Sequence, residues 1–411
     1  MKLLLIFLAL ISFVSGECQR HGLDYYFSHA RNNSPLLADY KNQMQSAQVD
    51  SQMIRASQKV QVNGVSANFY APVISGYGYD NIITNGAQVS AFVQANKNII
   101  SSANLASQYE TVRLLKESIG NTAQIAEKDL RKTITTQYIT VYGDFQAWAF
   151  SREILNLYQS EESILKSLTQ SGVYKQADYL TFYVSYQQQM LLVRQSEIQF
   201  RNDCATLNYM SGIVDTSLVE LEAPDLQTSM MPDIINSPFY RQYTLDSLSL
   251  VNQQKTILYT YKPRVNVYAD AGYNSSLQFE PYKNFGLSAG LNFSVPIYDG
   301  KQRRMKYQKI NIAEDTRQHY KDYFLRQYNQ QIAQLSQQLR STESLIGDIN
   351  GQIKYSRTLI DVNRKLLETG EVRITDLILT TNTYLNARNL LNQNFVNRMQ
   401  IINQINYWQT L

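Results

Sequence analysis

Residues with side chains suited to chemistry are few in this chain and mostly scattered. His21, His29 and His319 share no metal-ligand spacing, and Gly76-Tyr77-Gly78 lacks the strand-to-helix setting of a phosphate loop. Cys18 and Cys204 are the only cysteines, so no disulfide framework is expected. No nucleophile motif or carboxylate pair stands in an enzyme's context, so the sequence reads as a non-enzyme with no cofactor and no metal. What recurs at fixed spacing is an aspartate six residues after a glycine. Gly172 precedes Asp178-Tyr179-Leu180, and Gly370 precedes Asp376-Leu377-Ile378. A glycine after a last apolar turn stops a helix. An aspartate in the first turn of the next helix faces its unpaired amides. The chemistry on offer is electrostatic: a carboxylate, with Arg373 close by in the second copy, at a reversal between two helices.

The two glycine–aspartate turns belong to a duplication of the whole chain. Asn33-Ser34-Pro35 returns as Asn236-Ser237-Pro238, Gly86 as Gly286, and Asn208-Tyr209 as Asn406-Tyr407. With the two turns, the offsets are 203, 200, 198, 198 and 198. A period this long is not that of a solenoid, whose units run to roughly 20–50 residues. It marks two copies of one large unit, 17–212 and 238–411, joined by a linker at 213–237 that carries Pro224 and Pro232.

The chain opens with Met1-Lys2, an apolar run from Leu3 to Val14, and then Ser15-Gly16. That is the pattern of a secretory signal peptide over 1–16, too short to span a bilayer. Cys18 raises a lipoprotein alternative, against which Glu17 occupies a position where a small residue is expected. No later stretch approaches 18 uninterrupted apolar residues. The 38 basic and 34 acidic residues are too evenly balanced to imply a nucleic-acid partner.

Each copy repeats one order of elements. A leading helix is expected at 22–57 and again at 238–261. A β-hairpin follows, at about 58–96 and about 264–297. In the second, Val265, Val267, Ala269, Ala271 and Tyr273 alternate with polar residues, and Phe285, Leu287, Ala289, Leu291, Phe293, Val295 and Ile297 do the same. Period-two alternation places each apolar set on one face. Gly64 interrupts the first hairpin, where Val89, Ala91 and Val93 alternate cleanly. Long proline-free helices are expected at 98–170 and 300–368, each on the order of 100 Å. Ile332, Leu335, Leu339, Ile346, Ile349, Ile353, Ile360 and Leu367 keep the 3.5-residue period of a helix wound against neighbours. Return helices of half that length follow each glycine turn, at 176–211 and 374–408.

Strands of about ten residues, apolar on one face and small or polar on the other, suit a transmembrane barrel. Four strands cannot close one, and lipid tolerates no open edge. Three chains would supply twelve, enough for a water-filled lumen. The fold class expected is therefore a mixed α/β membrane protein. Long antiparallel coiled-coil helices would form an α-barrel, and four strands per chain would enter a shared 12-stranded β-barrel. The alternative is an exported adhesive or structural coiled-coil protein without a pore.

At this point the residues match a known family. The chain resembles the TolC-type outer-membrane efflux proteins over essentially its whole mature length. The resemblance rests on the duplicated element order, on Val295-Pro296-Ile297-Tyr298-Asp299-Gly300, and on the two glycine–aspartate turns. It implies a homotrimeric channel in the cell outer membrane with a large periplasmic portion. It further implies a periplasmic adaptor and an inner-membrane pump as partners, in tripartite efflux or type I secretion. By position, Gly172, Asp178, Gly370 and Asp376 would form the periplasmic tips and adaptor contact. Arg373 and Asp376 would sit at the pore entrance or gate, Asp376 in an acidic ring. Leu379 stands where well-known members carry a second acid. The basic run Lys301, Arg303, Arg304, Lys306 and Lys309 reads as a solvated helix face or as a contact with lipid phosphate.

Overall fold

A computed structural model describes residues 21–79, 86–215, 220–228, 233–278 and 280–408. The expected signal peptide at 1–16 and Cys18 lie outside the described residues. The first copy begins with α1 (Leu23–Asn33) and α2 (Pro35–Ser57). The single helix expected over 22–57 is thus broken at Ser34, which is extended at ψ 112°. Pro35 is the cause, because its ring disfavours the helical conformation in the residue before it. The second copy starts α5 (Pro238–Thr260) on the matching proline. The repeated Asn-Ser-Pro therefore marks a helix start, where a proline's missing N–H costs nothing.

The two long helices are α3 (Ser102–Gln170, 69 residues) and α6 (Gln302–Thr369, 68 residues). The return helices are α4 (Gln176–Ser211) and α7 (Ile374–Asn406). Among the described residues, no helix is long and apolar enough to cross a membrane. The repeated asparagine near the end of each return helix does the same work twice. Asn208 donates to the Asp215 carbonyl at 2.7 Å, and Asn406 to the Gln227 carbonyl at 3.0 Å. Each side chain ties linker backbone to the end of a helix.

The strands β1 (Gln61–Tyr70), β2 (Ala87–Ile99), β3 (Arg264–Ser275) and β4 (Phe285–Ser294) form one antiparallel sheet in the order β1-β2-β3-β4. The strand expected to run to Ile297 stops at Ser294, since Pro296 has no N–H for a ladder and also restricts Val295. Asp299 then accepts the Arg303 N–H at 2.7 Å and starts α6.

Register sorts the side chains by face, because directly paired residues share one. Val265, Val267, Ala269, Ala271 and Tyr273 of β3 pair with Phe293, Leu291, Ala289, Leu287 and Phe285 of β4. Across β2 the same face takes Ala91, Val93 and Ala95. The opposite face carries Asn266, Asp270, Gly272, Gly286, Ser288, Gly290 and Asn292. There the Tyr268 ring lies over Gly290, where a β-carbon would stand 2.6 Å from its hydroxyl. β1 breaks the pattern. Its partners in β2 put Gly64, Ser66 and Asn68 on the apolar face, and Val65, Ala67 and Phe69 on the other. The polar groups so placed are bonded locally: Asn68 accepts the Ser90 N–H at 3.1 Å and donates to Ser66 Oγ at 3.2 Å.

By compactness the chain divides into two units. Among the described residues, one holds those of 21–38, 123–238 and 324–408; the other holds those of 39–122 and 239–323. The division cuts through both long helices rather than between the sequence copies. The first unit is held by aromatic and aliphatic clusters around Tyr138, Phe200 and Leu207, and around Tyr158, Phe182, Leu367 and Leu377. In the second, polar contacts join α3 to α5. Asn252, 3 % exposed, donates to the Ser107 carbonyl at 3.0 Å and to Thr111 Oγ1 at 2.8 Å.

Candidate functional site

Both glycine turns close in the same way. Val173 N–H reaches the Leu168 carbonyl at 2.9 Å and Gly172 N–H the Thr169 carbonyl at 3.1 Å. The second turn repeats this with Glu371 to Leu366 at 2.9 Å and Gly370 to Leu367 at 3.1 Å. This is the Schellman arrangement, which requires a left-handed residue. Gly172 (φ 81°) and Gly370 (φ 78°) supply it.

The structure brings the two turns together. Tyr174 donates its hydroxyl to the Val372 carbonyl at 2.8 Å. Val173 Cγ1 sits 2.6 Å from where a β-carbon on Gly370 would be, whereas nothing lies within 4 Å of one on Gly172. Both alanine variants should lose about 1–2 kcal/mol from left-handed backbone strain. Only Gly370→Ala also displaces Val173. Hydrogen exchange at residues 168–176 should therefore accelerate more in Gly370→Ala than in Gly172→Ala; equal effects would contradict the contact.

The two aspartates part ways. Asp178 turns back to accept the Lys175 N–H at 3.3 Å, the backbone-capping role that its position suggested. Asp376 accepts instead from Arg373 Nε at 3.0 Å, and the pair is exposed at 84 % and 45 % of the two side chains. Arg373 and Asp376 thus meet at the start of α7. An ion pair this open contributes at most about 1 kcal/mol. One turn further on, Leu379 is 67 % exposed, while Ile374 and Leu377 are buried. The outward face of the first turns of α7 therefore presents Arg373, Asp376 and Leu379.

Two features of α3 were not read from the sequence. Glu161 of α3 is fully buried, and neither carboxylate oxygen has a hydrogen-bond partner. It occupies the packing seam itself, three residues after Tyr158 and four before Leu165, both buried. Desolvation pushes its pKa up to about 7, against a weak opposing pull from Arg364. A charged residue in an apolar seam was the available signal. Nearer the middle of α3, burial and a hydrogen bond shared with Asp203 of α4 push Asp144 up to about 7. A second carboxyl that close disfavours the charged form, so Asp144 keeps its proton to a higher pH than an isolated aspartate would. Beside the first turn, Tyr179 donates to Glu162 at 2.6 Å.

No family model matches the sequence, and no curated protein does. Solved structures do match. The chain is similar to CusC, studied for folding and transmembrane channel formation, at 12% identity and TM-score 0.76, covering 95% of this chain and 92% of that one. It is similar to the outer membrane protein VceC of Vibrio cholerae at 11% identity and TM-score 0.74, covering 94% and 95%. The open-state MtrE outer membrane channel of Neisseria gonorrhoeae matches at 10% identity and TM-score 0.72, covering 94% and 88%. The chain has the fold of these outer-membrane channels, the TolC-type fold, over nearly its full length.

Proposed function

We propose that three copies of this chain form a channel through the outer membrane, with long helices continuing the duct into the periplasm. The observation that carries this reading is the sheet. It is open at β1 and at β4, and one face is apolar across β2, β3 and β4, with Leu287, Leu291 and Phe293 exposed at 87, 71 and 69 %. Such a face is stable against lipid, and such edges are stable only when paired. Joining β4 of one copy to β1 of the next closes a barrel whose other face, rich in Gly, Ser and Asn on β3 and β4, lines water. The likeness in fold to outer-membrane channels supports the same reading.

Two helices carry matching features. Leu180, Val184, Leu191 and Ile198 form an exposed stripe on α4, and Leu345, Tyr355, Leu359 and Val362 another on α6. Both keep the three- and four-residue steps of a coiled-coil seam. Stripes on two different helices suit a head-to-tail contact, which closes into a ring. The turns at Gly172 and Gly370 would be the periplasmic entrance, docked by an adaptor and an inner-membrane pump. Asp376, three times around the axis, would make a cation-attracting constriction, with Arg373 restraining it until opening. The exposed basic run from Lys301 to Lys309 would lie at the membrane edge, within reach of lipid phosphate. Cargo would be small molecules in efflux or polypeptides in type I secretion. A pore-free surface fibre is the weaker reading, since it leaves the apolar face of β3 and β4 against water.

Native mass spectrometry of the detergent-extracted protein tests the assembly. Particles of three chains are expected, and monomers or dimers alone would refute it.

A further inference from the structure

A cavity of about 370 Å³ opens in the first unit between α3, α6 and α7. It lies more than twenty residues before Gly172 along α3, and it belongs to neither turn. The cause is local. Gly143 and Ala147 fall one turn apart on α3, and Val396 of α7 packs so close to Gly143 that a β-carbon there would collide with it. The helices approach closely at Gly143, and the small Ala147 leaves room beside it.

The walls are apolar and the rim is not. Phe150, Phe395 and Ile346 line the space, and the Arg388 guanidinium stands 4.8 Å over the Phe150 ring. Among the described residues, Arg388 makes no ion pair: every carboxylate paired with an arginine is paired with a different one. Gln146 and Asn350 add amides at the same opening. A half-buried cation held over a ring and left without an acid is a preorganised anion receptor. Guanidinium geometry matches the paired oxygens of a carboxylate or sulfonate. The volume falls at the lower end of the roughly 300–1,000 Å³ of small-molecule sites.

We propose that this cavity binds a small amphipathic anion, an aromatic carboxylate or sulfonate, with its ring between Phe150 and Phe395 and its acid on Arg388. The site stands independently of the duct reading, because it needs only the packing within one unit.

Calorimetric titration of the full-length assembled protein with naphthalene-1-sulfonate tests it. The uncharged 1-naphthalenemethanol serves as control, and one detergent is used throughout so that micelle partition cancels. Saturable binding of one sulfonate per chain is expected. Arg388→Gln should weaken it at least tenfold while changing the alcohol less than twofold. Ala147→Leu, which fills the space without touching charge, should abolish both. Circular dichroism verifies that each variant is folded; if Ala147→Leu is not, the Arg388→Gln comparison decides alone. Sulfonate binding that does not saturate, or that is equal in wild type and Arg388→Gln, overturns the proposal. Binding to dissociated chains but not to the assembly would assign the cavity to a neighbouring copy and overturn it equally.

Discussion

Leu291→Arg is expected to keep the chain out of the membrane. Leu291 lies on the apolar face of β4, paired with Val267 and 71 % exposed in the single chain. If water covered that face, arginine would be neutral there or would improve solubility. If lipid covers it, each copy pays roughly 2–4 kcal/mol near the bilayer midplane, less toward the interface. A trimer carries the cost three times. The neighbouring variant Asn292→Arg is the control, because its side chain points to the opposite, polar face. Urea-resistant membrane association should fall steeply for Leu291→Arg and stay near wild type for Asn292→Arg. Equal behaviour of the two would mean that the sheet does not discriminate lipid from lumen.

Glu161→Gln should stabilise the protein above neutral pH. The folded-state pKa of Glu161, about 7, lies above its ordinary 4.5, so the folded chain holds a proton that the unfolded chain releases. Its contribution is then harmless below about pH 4.5. It becomes a growing penalty as pH rises to about 7, and it is constant beyond. A shift of that size corresponds to about 3 kcal/mol. The groups acting on Glu161 are Tyr158 on its own helix and Arg364 on α6, which is exposed. From α4 and α7 the surrounding cluster supplies Phe182, Leu377 and Tyr384. Glutamine removes the ionisation and keeps the volume. The variant's denaturation midpoint should match wild type at pH 4.5 and exceed it at pH 8. Wild type retains a second source of the same slope in Asp144, raised from 3.8 to about 7, so Glu161→Gln should reduce the pH dependence without abolishing it. A variant less stable than wild type at pH 8 would show that a cation from another copy pairs with Glu161 in the assembly.

The elements that carry a strong local period were legible in the sequence. The alternation at Val265–Tyr273 and Phe285–Phe293 specifies both strands and the face each shares. The seam from Ile332 to Leu367 specifies α6, and the glycines specify where the long helices stop. What escaped depends on pairing between distant residues. The reversed faces of β1 follow from its register with β2, which Gly64 and the scattered polar residues of 61–70 do not announce. The break at Ser34 was available in Pro35, but the apolar pattern runs across it and hid it. At the site, the sequence offered a capping role to both Asp178 and Asp376, and only the family resemblance set Asp376 apart. Only the fold shows one folded back on its own backbone and the other bound to Arg373. Glu161 was masked because a seam read by its apolar members passes over the charged one. The Arg388 cavity needs three helices from both copies, so no single stretch of chain contains it.

Planar-bilayer recording of the purified, detergent-extracted protein tests the proposed trimeric channel most directly. Unitary ion currents are expected; if the Arg373–Asp376 pairs restrain the proposed entrance, they are small in wild type and larger in Arg373→Ala. Asp376→Ala should lower the preference for cations if these carboxylates line the constriction. Trimers that insert in the bilayer yet pass no current, even with Arg373 replaced, would contradict the existence of a duct.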